Sequence, residues 1–256
     1  NYFFFAGISL VSLVSFWDDI QSLSNKIRIS VHFLAISLIF YDLGVFESVH
    51  VIGVLVAYIL AIGLINAYNF MDGINGITGL YTLVVMGSLL YVNQKIKVFI
   101  DADFIQYAMM ASLVFLFFNF RKKAKCFAGD VGSIAIALWV IYLVLKLILV
   151  TNSLVWLLFL AVYGVETVCT ILHRLYLKEN IFEAHRLHLY QVLSNEYKMQ
   201  HRWVAAFYGI AQVVISVLVV VLYQKVSDIL LFGLVIGPLL LIYCVKFYLL
   251  HKKNIK

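Results

Sequence analysis

The chain has 256 residues; 64% are apolar and only 12% charged, with a single proline and a mean hydropathy of +1.00. A soluble domain carries about twice that charged fraction, so the soluble globular classes are excluded. The net charge of +6 does not argue for a nucleic-acid partner, because its placement along the chain follows membrane topology.

Apolar blocks fall near 2–17, 28–43, 49–67, 76–93, 104–120, 131–147, 153–172, 203–223 and 228–250. Each approaches the roughly 20 helical residues needed to cross a hydrocarbon core. The alternating ten-residue pattern of a membrane barrel is absent. The expectation is an all-α, polytopic helical bundle of about nine membrane helices, forming one integral-membrane domain over 1–256. The chain opens at Asn1, without an initiator Met and already within an apolar run, which predicts further helix upstream. Cys126, Cys169 and Cys244 are scattered, with neither metal spacing nor an even-numbered disulfide framework.

Taken in chain order, the first block ends in Asp18-Asp19. Two adjacent carboxylates at a membrane boundary repel and call for a cation or a cationic clamp; an ordinary solvated helix end is the competing reading. The third block ends in NAYNFMDGINGITG. Asn66, Asn69 and Asp72, three apart, share one face if the helix continues. Gly73, Gly76 and Gly79 would leave a bare backbone surface, for a ligand phosphate or for close helix packing. Asn75 would lie at the edge of such a site, able to pair with a base or a sugar amide.

Asp130 stands between glycines in FAGDVGS at the start of the sixth block, downstream of the basic run 121–125. It reads either as a helix N-terminal carboxylate or as a Mg²⁺ ligand working with substrate phosphates. Glu166 lies inside the seventh block, where a carboxylate is a functional or helix-pairing candidate; both readings stay open. The polar stretch 173–202 reads as a cytoplasmic substrate-binding loop, with His173, Arg174 and the segment EAHRLHLYQ. There His185, Arg186, His188 and Gln191 fall within two turns, and imidazole and guanidinium groups suit phosphate oxygens.

Of 19 lysines and arginines, fifteen fall on the side shared by Asp18-Asp19, Asn66–Gly76, Asp130 and the histidine loop, counting Lys246 with the C-terminal tail. Cationic loops stay cytoplasmic, so these motifs are expected on the cytoplasmic face of an inner membrane.

Together, Asp18-Asp19, Asn69–Gly76, Gly129–Ser133 and the histidine loop, in this order, resemble the polyprenyl-phosphate N-acetylhexosamine-1-phosphate transferases. The resemblance implies transfer of an N-acetylhexosamine 1-phosphate from a UDP-N-acetyl sugar to undecaprenyl phosphate, releasing UMP. It implies Mg²⁺, with Mn²⁺ able to replace it, and a homodimer in the membrane. Carried over, Asp18 and Asp19 would bind or deprotonate the lipid phosphate, and Asp130 and Asp72 would serve the metal, Asp72 also in catalysis. Asn66, Asn69, Asn75, Arg174, His185, Arg186 and His188 would contact substrate. Direct in-line attack is the simpler route, because it needs no extra nucleophile.

The pattern His-Arg-x-His-x-x-Gln is more similar to the branch that begins O-antigen and capsule glycans. The muramoyl-pentapeptide branch, which carries consecutive histidines, is the nearest alternative. A secondary transporter would instead place carboxylates at mid-bilayer within a repeat. A scaffolding protein would leave four polar motifs on one side unexplained.

Overall fold

The computed structural model describes residues 1–180 and 186–252, and all regular structure among them is helical. In chain order the helices are α1 (Tyr2–Ile20), α2 (Asn25–Asp42), the short α3 (Val45–Ser48), α4 (Val51–Met71), α5 (Ile77–Lys95) and α6 (Ala102–Asn119). There follow α7 (Gly129–Thr151), α8 (Ala161–Tyr176), the single turn α9 (Leu189–Gln191), α10 (His201–Leu222) and α11 (Asp228–Lys252). A 3₁₀ segment, Leu154–Leu160, leads into α8, and a π turn, Val192–Glu196, follows α9.

Eight stretches among the described residues are long and apolar enough to cross a membrane, against about nine expected. The difference is α2, whose 18 residues include Asn25, Lys26, Arg28, His32 and Asp42 and are correspondingly less apolar. Large apolar side chains point outward along the long helices, among them Trp17, Leu55, Phe117 and Ile210. Lipid tails solvate such side chains as well as a protein core does, so this exposure is what a membrane span requires.

The residues group into two compact units. The first, Asn1–Asp72 with Phe127–Thr151, contains α1 to α4 and α7. Within it α1 packs along α2 and α7, and α4 lies along α7. Its core includes Phe4, Ile36, Phe40, Ile65 and Leu138. A Cβ at Gly7 would stand 3.1 Å from the Ala35 carbonyl oxygen, so α1 and α2 meet at near-backbone distance there.

The second unit, Gly73–Cys126 with Asn152–Lys256, packs α5 against α6 and α10, and α11 against α8. Its centre is Gln212 of α10, which is fully buried. Where the 3₁₀ segment hands over to α8, the Leu158 carbonyl accepts from the Ala161 N–H and has a second lone pair to offer. Gln212 bonds to both sides of this junction: its Nε2 donates to the Leu158 oxygen at 3.1 Å and its Oε1 accepts from Val162 N at 3.3 Å. The same Oε1 accepts from Tyr81 of α5 at 2.9 Å, and the Tyr81 ring stacks on Tyr163 with centroids 3.6 Å apart. An unsatisfied backbone group in hydrocarbon costs several kcal/mol, so one amide secures three elements.

The expected face of Gly73, Gly76 and Gly79 is not formed, because the helix breaks after Met71 and α5 starts at Ile77. Gly76 has φ +90, in the left-handed region. A Cβ there would collide with the Phe120 ring, and one at Gly79 would stand 2.8 Å from the Leu116 side chain. These two glycines let α6 and the residue after it close on the turn, which is packing and not an open phosphate surface.

Gly76→Ala therefore combines a disfavoured φ, about 1–2 kcal/mol, with overpacking of about 1–3 kcal/mol. We expect it to lower the thermal midpoint in detergent clearly. Gly87→Ala in α5, where nothing lies within 4 Å of the added Cβ, should leave that midpoint unchanged or raised. Equal midpoints for the two variants would contradict this account of the turn.

Candidate active site

The first unit gathers the acidic residues. Adjacent positions on a helix lie about 100° apart, so Asp18 and Asp19 turn different ways. Asp18 is 8% exposed. One of its oxygens accepts from Leu23 N at 2.6 Å, and the other pairs with Arg28 Nη2 at 2.7 Å. It thus closes the α1–α2 turn. Asp19 is exposed, beside Gly129 at the start of α7, where its Oδ2 would lie 3.4 Å from a Cβ. Asp19 feels the charges of Asp130, Asp18 and Arg28.

Asp130 occupies the first turn of α7 and is exposed. Asn69, in the last turn of α4, donates its amide to Asp130 Oδ1 at 2.8 Å and lies 3.4 Å from Ser133 Oγ. Two motifs 61 positions apart in sequence therefore meet directly. Asp72 caps α4, its backbone N–H bonded to the Asn69 carbonyl at 3.2 Å. Asn66, by contrast, turns its amide back to the Ile62 carbonyl of its own helix at 3.0 Å.

Asp18, Asp19 and Asp130 outnumber the guanidinium of Arg28 that faces them, so the start of α7 carries excess negative charge. Among the described residues no three His, Cys, Asp or Glu side chains converge as a ready cation cage. Mg²⁺ commonly takes only one or two carboxylates and completes its shell with water and substrate phosphates. Asp19 and Asp130 fit that requirement.

In the second unit, Asn75 is 8% exposed and its amide donates to the backbone carbonyls of Arg121 and Lys122 at 2.8 and 3.4 Å. Its amide hydrogens thus hold the start of the basic run. Asn119, not singled out from the sequence, does a matching task. Its Oδ1 accepts from Gly76 N at 2.6 Å and its Nδ2 donates to the Cys126 carbonyl at 2.8 Å.

The polar stretch after α8 is partly packed inward among its described residues. It folds back, and Leu189, Tyr190, Val192 and Ser194 are buried. Arg174 is 3% exposed, with Nε 3.0 Å from Glu179 and Nη2 donating to the Asn180 carbonyl at 2.6 Å. His188 is 1% exposed; its ring accepts from Gln191 N–H while Gln191 Oε1 accepts from His188 N at 3.1 Å. Both side chains are folded inward. Arg186 is exposed. Residues 181–185, His185 among them, lie outside the described residues.

Lys246, expected in the C-terminal tail, lies within α11 and is fully buried, its Nζ 2.6 Å from Tyr243 OH and 3.3 Å from His173 Nδ1. It is a packing cation and not a topology charge. Besides Asn119, sequence reasoning missed Arg28 as the partner of Asp18, and His32, buried within electrostatic reach of Asp130 and Arg28. Ser133, three residues beyond Asp130, was the one such residue that helical spacing could have placed.

A polytopic helical membrane protein with an acidic centre beside a helix start is thus defined. The model of glycosyl transferase family 4 matches residues 2–148, more than half of the chain. The chain belongs to this family. It is similar to the phospho-N-acetylmuramoyl-pentapeptide-transferase of Lactococcus lactis subsp. cremoris (strain MG1363), with 31% identity over 173 residues, covering 66% of this chain and 47% of the relative. The enzyme of that name from Aquifex aeolicus (strain VF5) is 28% identical over 202 residues, covering 64% and 55%. The one from Streptococcus pneumoniae (strain Taiwan19F-14) is 29% identical over 148 residues, covering 50% and 44%. The chain spans about half or less of the length of the curated relatives it matches.

Asn119→Ala would orphan both the Gly76 N–H and the Cys126 carbonyl. At about 1–3 kcal/mol for each buried unpaired group, we expect a large fall in the thermal midpoint in detergent. Gln94→Ala, at the exposed end of α5, should change nothing. A midpoint for Asn119→Ala equal to that of Gln94→Ala would refute the tie.

Proposed function

We propose that this protein transfers a phospho-N-acetylhexosamine unit from a UDP-sugar to undecaprenyl phosphate at the cytoplasmic face of a bacterial inner membrane. The observation that carries the reading is the meeting of Asn69 and Asp130 beside Asp19, in a chain of glycosyl transferase family 4. An oxygen of the lipid phosphate attacks the sugar-side phosphorus of the UDP-sugar. The bond from that phosphorus to the bridging oxygen breaks, and UMP leaves with the oxygen.

Asp19, exposed and held within a negative field, receives the proton of a protonated lipid phosphate. Asp18 positions it by fixing the α1–α2 turn through Arg28. Asn69 holds the Asp130 carboxylate in one orientation. Asp130 would hold Mg²⁺, with Asp72 at the end of α4 as a further candidate. Bound there, the ion would neutralise the charge of the diphosphate. The cytoplasmic placement is supported by the bias of lysine and arginine, which survives the removal of Lys246 from the count.

For the donor, the relatives' names support UDP-N-acetylmuramoyl-pentapeptide over the O-antigen type of donor expected from the histidine loop. The buried His188 removes part of that expectation's basis. A second reading, UDP-N-acetylglucosamine or a deoxy amino-sugar donor, is favoured by one observation: the loop has no run of consecutive histidines.

The test follows UMP release in membranes containing the full-length protein, undecaprenyl phosphate and each donor in turn. We expect UMP with one donor, abolished by chelator. Asp130→Asn and Asp19→Asn should each lower kcat by about 10³-fold or more. Asp18→Asn, which breaks the pair with Arg28, should in addition lower the thermal midpoint. Folded protein that releases no UMP with any donor would overturn the proposal.

A further inference from the structure

Glu166 sits in α8 about 15 Å of helix rise from the Tyr176 end, and is 4% exposed. A carboxylate at such a place must find strong donors, and its donors identify its task. It accepts from Tyr190 N at 3.2 Å and from the Tyr208 hydroxyl, and the Leu189 N–H also bonds to it. His188 Nδ1 stands 3.8 Å away. Leu189 and Tyr190 open the turn α9, so Glu166 receives the first N–H groups of that turn.

Two simpler roles do not account for this. As a helix-pairing ion, Glu166 would meet Lys246, yet the Lys246 ammonium bonds to Tyr243 and His173 instead. As a substrate ligand, it would need room. The cavity beside it measures only about 30 Å³, walled by Val162, Leu189, Phe207, Leu239 and Tyr243. That volume suits about one water, not a sugar or a nucleotide.

We propose that Glu166 is a positioning residue: it anchors to the bundle the loop at 188–190, with the exposed Arg186 two residues upstream, and so holds that loop in shape for substrate. The proposal rests on the transferase reading above. A second contact supports it within the same unit. A Cβ at Gly73 would collide with the Tyr190 hydroxyl, so the Tyr190 side chain lies directly over the turn that follows α4. The anchored backbone of Tyr190 thus fixes its own phenol over Gly73.

The experiment uses the full-length protein in nanodiscs, with both faces open to protease. Glu166→Ala should speed tryptic cleavage after Arg186 by about tenfold. It should raise KM for the UDP-sugar by about tenfold while kcat stays within about threefold. Glu166→Gln keeps an acceptor for the two backbone N–H groups and should restore both readouts close to wild type. Hydrogen exchange on the unmutated protein adds a test free of any folding defect. The Leu189 and Tyr190 amides should be protected like those of α8.

Exchange of these amides at the rate of an open loop would overturn the proposal. So would a Glu166→Ala protein that loses thermal stability but keeps wild-type KM and cleavage. A wild-type protein that releases no UMP would instead defeat the transferase reading, and the exchange and cleavage results would still judge the anchor.

Discussion

A helix that ends among other helices in a bilayer exposes backbone groups that water cannot reach, and these must be answered by side chains. Much of the architecture follows from that constraint, and carboxamides meet most of it. Gln212 closes the junction between the 3₁₀ segment and α8. Asn119 closes the start of α5 and ties it to Cys126. Asn93 accepts from Phe99 and Ile100 N–H and donates to the Ile100 carbonyl, closing the α5–α6 connection. A carboxamide carries both a donor and an acceptor without a charge, so it answers an N–H and a C=O together at no cost in ion desolvation.

The charged groups are fewer and more sharply divided. Asp18 and Lys246 are each buried and held by neighbours in the protein. Asp19 and Arg186 stay exposed. A buried ion with a satisfied shell orients its surroundings, whereas an exposed one can meet a ligand. The division gives structural work to the buried set and leaves the other open to solvent.

Helix positions and the acidic motifs were legible in the sequence because both depend on local pattern: a run of apolar residues, or a carboxylate next to glycine. The joining of Asn69 to Asp130 was foreseen as a shared site but not as a direct bond. Asn75, Arg174 and His188 were read as substrate groups because their polarity was visible and their burial was not. A buried histidine that caps a turn and a solvent-facing one that grips phosphate have the same letter and the same neighbours in sequence. Only the return of the loop onto α8 separates them, and that return depends on Glu166, 24 positions before Tyr190. The glycine triplet failed for a related reason. Its spacing of three implies a face only if the helix continues, and Gly76 in the left-handed region belongs to the break itself.

The Asp-Asp pair shows how a geometric constraint becomes a division of labour. Successive residues on a helix are turned by about 100°, so two adjacent carboxylates at a membrane boundary cannot share one environment. If both faced the lipid or the core, two desolvated charges would remain. If both faced solvent, nothing would fix the end of the helix. With Asp18 turned inward, Arg28 and the Leu23 N–H satisfy it and the α1–α2 turn is set. The same rotation then delivers Asp19 outward, next to Gly129 at the start of α7. Gly129 has φ +60, in the left-handed region that glycine adopts without strain, so the glycine before Asp130 and the pairing of Asp18 serve one end: an exposed carboxylate beside the start of the helix that carries a second one.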